Sequence, residues 1–129
     1  MEAIWEDAIK QGDVETIRAL LRQSVDDIDA RNRYGQTALM LAAHAGNLDI
    51  VETLIEHGAN LNVTAKFGLS ALMLSIVAGH VEVARLLARA GADLSLRGSG
   101  APGFANQTAW DLAMARGMQK LASELHRGK

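Results

Sequence analysis

An all-α solenoid, built by stacking short helix–turn–helix units, is the fold class this 129-residue sequence predicts. Three observations carry the prediction. First, "GQTALMLAAHAGNLDIVETLIEHGANLN" (35–62) recurs as "GLSALMLSIVAGHVEVARLLARAGADLS" (68–95), every landmark displaced by 33. Gly35 falls on Gly68, Thr37 on Ser70, Leu39 on Leu72, Gly46 on Gly79, Leu54 on Leu87 and Gly58-Ala59 on Gly91-Ala92. Second, apolar residues within each copy recur at helical spacing. Third, hydroxyl residues stand where helices should begin and glycines where they should end.

Each element follows from local chemistry. Thr37 and Ser70 are N-caps, because a side-chain oxygen can accept from the free amides of the first turn. Gly46 and Gly79 stop the first helix of each unit, since glycine enters the left-handed cap conformation without a side-chain clash. Leu48, Val51, Leu54 and Ile55 form one face of the second helix; Val81, Ala84, Leu87 and Ala88 are their counterparts. Gly58 and Gly91 end it, and about a dozen residues lead to the next cap. The short alternating pieces "ANLNV" and "ADLSL" suit an extended, hairpin-like finger.

Worn copies stand at both ends. "WEDAIKQGDVETIRALL" (5–21) aligns at an offset of 34. "NQTAWDLAMARGMQKLASEL" (106–125) aligns with the third unit at an offset of 38, so Thr108 falls on Ser70 and Gly117 on Gly79. The stretch "LRGSGAPGFANQTAW" (96–110) is therefore a finger lengthened by five residues, not an interdomain linker. One domain over 1–129 is expected, with units at about 1–30, 31–63, 64–96 and 97–129 and the insertion at about 97–106. Trp5 and Trp110 replace the leucines Leu39 and Leu72 of the inner units. An end unit has one neighbour only, and a wide ring is expected to close the core there.

A helix–turn–helix–finger unit of this period, with "GQTALMLA" and "GANLN", resembles the ankyrin repeat family. The resemblance spans nearly the whole chain, as two full repeats between two capping repeats. The family's Thr-Pro-Leu-His is Thr37-Ala38-Leu39-Met40 and Ser70-Ala71-Leu72-Met73 here. Alanine replaces proline at little cost to a helix. In the family the histidine helps tie neighbouring fingers by hydrogen bonds. Methionine cannot, so Met40 and Met73 should contact the next unit by packing, and looser fingers are expected.

Composition narrows the function. The formal net charge of −2 gives no global footprint for nucleic acid or an anionic membrane. There is no cysteine, which removes disulfides, thiol catalysis and cysteine-based zinc together and fits a cytoplasmic setting. No secretory leader pattern opens the chain, and no apolar run has bilayer length. His44, His57, His80 and His126 give no metal pair on one helical face. His57 suits a helix C-terminus, where its positive form is favoured. The acidic group Asp26-Asp27-Ile28-Asp29 lacks the glycine and glutamate of a calcium loop and reads as a solvated finger. Phosphate-loop and nucleophile-elbow motifs are absent. The expectation is a non-enzyme without metal or cofactor, binding a protein as a monomer.

The resemblance implies where a partner would sit: the finger tips and the exposed side of the first helices, on the concave face. Unit two places Arg31, Arg33, Tyr34, Gln36 and His44 there. Unit three places Thr64, Lys66, Phe67, Leu69 and Val77. Two successive fingers thus present a cation followed by an aromatic, Arg33-Tyr34 and Lys66-Phe67, types enriched at binding hot spots. The aromatics either pack back on their fingers or face the groove. Leu69 and Val77 are expected in solvent beside them, an exposed apolar group that marks a contact surface. Phe104 of the long finger lies near the same row, one residue out of register.

Protein binding through this face is the expected function. One alternative is a dedicated inhibitor or immunity-type regulator of a single enzyme. The other is a structural unit that stacks end to end. Glu2, Glu6 and Asp7 at one end and Arg116, Lys120 and Arg127 at the other argue against apolar stacking and leave only weak head-to-tail attraction.

Overall fold

The structure is a computed structural model that describes residues 1–23 and 27–125. Asp26, His126 and Arg127, singled out above, lie outside the described residues. Eight α-helices occur among those described, in four antiparallel pairs, with a short 3-10 turn at Lys66–Gly68 in the finger before α5. Helices α1 (Ala3–Gln11), α3 (Ala38–Ala45), α5 (Ala71–Val77) and α7 (Ala109–Ala115) form an inner row. Helices α2 (Val14–Gln23), α4 (Leu48–Glu56), α6 (Val81–Arg89) and α8 (Gln119–Glu124) form an outer row. Each helix packs on its partner and on the equivalent helix of the next unit.

The caps are as the hydroxyls dictate. The Met40 amide donates to Thr37 Oγ1 (3.2 Å) and the Met73 amide to Ser70 Oγ (3.3 Å). Thr108 does the same for Asp111, whose carboxylate accepts from the Thr108 amide in return, closing a capping box. Gly46 ends α3 at φ 75°. A β-carbon there would fall 2.5 Å from the ring of His80, which fills the space above the glycine. His80 Nε2–H donates to the His44 carbonyl (3.0 Å), linking two successive units.

The core is one strip between the two rows. Leu39, Met40, Ile50, Leu54, Leu72, Met73, Ile76, Leu87, Leu112 and Leu121 are fully buried in it. Met40 and Met73 are buried in this strip. Trp5 is buried with the core, and Trp110 packs half-buried against it at the far end. The outer-helix face is turned slightly from the expected one. Leu48 is 39% exposed, while Ile50, two residues on, is buried. Leu48 is the first residue of α4.

The fingers are too short for β-strands, and only an isolated bridge, Gly98 to Ala105, occurs among the described residues. They are nevertheless closed by one repeated cross-pair. The Asn32 amide donates to the Gln36 carbonyl (2.9 Å), Ala65 to Leu69 (3.2 Å) and Gly98 to Gln107 (2.9 Å). The inserted residues lie inside the third of these pairs.

A second tie runs along the finger bases. Asp27, Asn60 and Asp93 each form an Asx turn with the amide two residues on. Asp29 Oδ1 then accepts from the Asn60 amide (2.8 Å), and Asn62 Oδ1 from the Asp93 amide (2.7 Å). This ladder supplies finger-to-finger bonds that the missing imidazoles do not. The acidic group read as merely solvated therefore has a structural part: Asp29 bridges two units. The Asp93 carboxyl is held below its ordinary value by the Ser95 hydroxyl and amide. Replacing Asp29 or Asn62 with alanine should lower stability by about 1 kcal/mol each, the usual worth of one such bond. Urea unfolding would show it as a lower midpoint with an unchanged slope.

Candidate functional site

The fingers and inner helices of units two and three enclose a cleft of about 220 Å³. Gln36, His44, Lys66, Phe67 and Leu69, all expected at the partner surface, line it together with Leu41, Ala65 and Leu74. Leu41 and Leu74 were not singled out from sequence. They occupy equivalent positions one repeat apart and are half-buried on the inner helices. Helical periodicity assigns such leucines to the core, which hides that their outer sides form a groove wall.

The remaining candidates divide. Tyr34 is 66% exposed, with the Arg33 guanidinium 5.4 Å from its ring centre. Its backbone is fixed by the Asn32 side chain, whose Oδ1 accepts from the Tyr34 and Gln36 amides. Tyr34 therefore projects from a rigid turn into solvent. Arg31 is engaged in the fold: Nη1 donates to the Gly35 carbonyl (3.2 Å) and the Thr64 carbonyl (3.1 Å), stapling fingers two and three. Val77 is half-buried on α5, at the position equivalent to His44, outside the cleft lining.

Leu69 requires a correction. It was expected in solvent, but it is 4% exposed. It immediately precedes the Ser70 N-cap, where an apolar side chain packs down toward the fourth helical residue, here Leu74. Leu69 thus forms the cleft floor, not a free contact residue. Gln36 holds the equivalent place in unit two and, being polar, stays half-buried at the edge.

The long finger folds back onto its predecessor. The Phe104 ring packs on the Phe67 ring with centroids 5.5 Å apart and planes tilted by 37°. The Ser99 amide donates to the Phe67 carbonyl (2.7 Å), and Lys66 Nζ lies 5.0 Å from the centre of the Phe67 ring. Phe67 has φ 64° and ψ 18°, a left-handed conformation that costs a non-glycine residue of order 1–3 kcal/mol. The contacts from Phe104, Ser99 and Lys66 offset this strain. The insertion therefore positions Phe67 at the rim of the cleft. Glycine is needed within it: a β-carbon on Gly98 would lie 2.2 Å from the Phe104 carbonyl oxygen.

Among the described residues no group of three or more histidine, cysteine, aspartate or glutamate side chains could hold a metal ion. No buried side-chain nitrogen or oxygen lacks a hydrogen-bond partner among the described residues. No helix of the described residues is long and apolar enough to cross a membrane.

Comparison with known proteins gives this geometry a family. A model of ankyrin repeats, in three copies, matches residues 5–98. The human ankyrin repeat domain-containing protein 29 is 38% identical over 61 residues, which are 47% of this chain and 20% of that protein. The ankyrin repeat, SAM and basic leucine zipper domain-containing protein 1 of Saimiri boliviensis boliviensis is 39% identical over 56 residues, 43% of this chain and 12% of that one. The chain thus spans a fifth or less of these relatives' lengths. Among solved structures, a complex of a predatory endopeptidase from Bdellovibrio bacteriovorus with an immunity protein contains a similar chain. The TM-score is 0.83 and the identity 30%, over 95% of this chain and 61% of that one. With the repeat model matching well over half its length, the chain belongs to the ankyrin repeat family.

Proposed function

We propose that this protein is a non-catalytic binding module that holds a protein partner in the cleft between fingers two and three and helices α3 and α5. The observation that carries the reading is the convergence of Gln36, His44, Lys66 and Phe67 with Leu41 and Leu74 on one open groove. Insertions in solenoids fall on one face, often the binding face, and here the insertion braces the groove's rim. Exposed Tyr34 adds an aromatic anchor on a rigid turn beside it.

Capture of a partner by the immobilised protein tests this. Tyr34→Ala combined with Leu74→Glu should abolish capture, because it removes the anchor and charges the groove wall. The helical melting curve should remain cooperative. Glu52→Lys on the opposite, outer side should leave capture intact. Capture that survives the first variant and fails in the second would overturn the reading.

A second reading is favoured by one comparison. The similar chain that spans 95% of this one comes from a complex between an endopeptidase and an immunity protein. On this reading the partner is a single peptidase, and the groove binds it so as to block activity. Titrating such an enzyme would then give a linear loss of activity that ends at equimolar protein.

A further inference from the structure

The fingers and inner helices of units two and three carry a strip without carboxylates, and that says what kind of partner the groove takes. Segments 30–48, 57–81 and 94–110 together form the fingers and inner helices from unit two onward up to the start of α7. They contain Arg31, Arg33, Lys66 and Arg97 and no aspartate or glutamate. The carboxylates of the same units stand on the outer helices and the finger bases. Asp49, Glu52 and Glu56 lie in α4, Glu82 lies in α6 and Asp93 lies in its Asx turn. A chain whose net charge is −2 thus carries a cationic strip along one side.

The ion pairs follow the same division. Among the described residues, Arg18 pairs with Glu15, and Arg85 with Glu82 and Glu124, all on outer helices. Arg33 and Lys66 are exposed and have no carboxylate partner among the described residues; their close neighbours are the Tyr34 and Phe67 rings. The carboxylates of the adjoining inner helices are those of Glu6 and Asp7, both in α1 of the preceding unit, and of Asp111 in α7. The Asp111 carboxylate is occupied by the Thr108 cap.

We infer that the groove's partner is a protein segment that presents a carboxylate next to an apolar side chain. The apolar side chain enters the cleft against Leu41 and Leu74, and the carboxylate meets Lys66 and Arg33 at the rim. The inference rests on the reading of this cleft as the binding site and adds the chemistry of its occupant. Complementary charge at a rim steers encounter and rejects basic competitors. The aromatic beside each cation lowers the cost of stripping water from it, and the apolar floor supplies what a purely electrostatic site would lack. Nucleic acid is the poorer fit, because the strip holds only four cations, beside an apolar cleft, in a chain whose formal net charge is −2.

Selection from a phage-displayed random peptide library on the full chain tests this, with a fluorescein-labelled oligouridylate RNA as a second probe. The expected result is peptides that pair Asp or Glu with a large apolar residue. Their affinity should fall about tenfold or more in Arg33→Glu/Lys66→Glu, and less in Arg33→Gln/Lys66→Gln. The loss should shrink at high salt and be absent in Glu52→Lys. Peptides that are neutral or basic but still lose binding in Leu74→Glu would overturn the acidic partner and leave the groove reading standing. Peptides indifferent to Leu74→Glu as well as to the charge reversals would overturn both. Tighter binding of the RNA than of any selected peptide, or no peptide above background, would also overturn the inference.

Discussion

Ile76→Ala should lower the stability of this protein by about 2–5 kcal/mol, the cost of a cavity in a packed core. Ile76 has no exposed surface and sits on α5. That helix packs on α3, α6 and α7, so it joins three of the four units. A typical domain is stable by only about 5–15 kcal/mol, so the loss is a large share of the total. The position of the cavity matters as much as its size. Solenoid units are held by their neighbours, and a weak centre uncouples both halves. Leu121→Ala, in the last helix pair, removes an equally buried side chain. It should loosen one end and broaden the transition, whereas Ile76→Ala should lower the midpoint of the whole. Urea unfolding followed by circular dichroism separates the two. Equal effects on midpoint and slope would contradict the stacked-unit account.

Gly98→Ala should displace the long finger. Its β-carbon and the Phe104 carbonyl oxygen cannot both keep their places at 2.2 Å. Moving either breaks the pair in which Gly98 donates to Gln107 and accepts from Asn106. Two such bonds are worth roughly 1–3 kcal/mol. Amide hydrogen exchange at Asn106 and Ser99 should therefore quicken by about tenfold or more. Phe67 should relax from its left-handed conformation, since Phe104 and Ser99 no longer hold it. The helices should melt nearly as before, because α5 and α7 are capped independently of the loop by Ser70 and Thr108. Unchanged exchange at Ser99 would mean that the finger does not depend on that close approach.

These outcomes show what the sequence makes legible and what it hides. Caps and stops depend on one residue and its own backbone, so Thr37, Ser70, Thr108 and Gly46 could be read directly. The buried methionines and Trp5 followed from repeat position. Leu69 was misplaced because its environment is set by the helix cap after it, not by the finger before it. The solvated reading of Asp29 fails because its partner, the Asn60 amide, lies a full repeat away. Yet the recurrence of Asp27, Asn60 and Asp93 at intervals of 33 was a visible signal of that ladder. Phe104 could be placed near the row of fingers, but not against Phe67, because a glycine-rich insertion has no periodicity to fix its path. The absence of carboxylates from segments 30–48, 57–81 and 94–110 was also present in the sequence. It became meaningful only when the fingers and inner helices proved to share a cleft.

The central claim is that a protein partner occupies the cleft between fingers two and three. Site-specific photo-cross-linking tests it most directly. A benzophenone amino acid replaces either His44, exposed at the cleft, or Glu52, exposed on the outer helix. Irradiation in the presence of the bound partner should give a covalent adduct from position 44 and none from position 52. An adduct from position 52 with none from position 44 would place the partner on the wrong face and contradict the account.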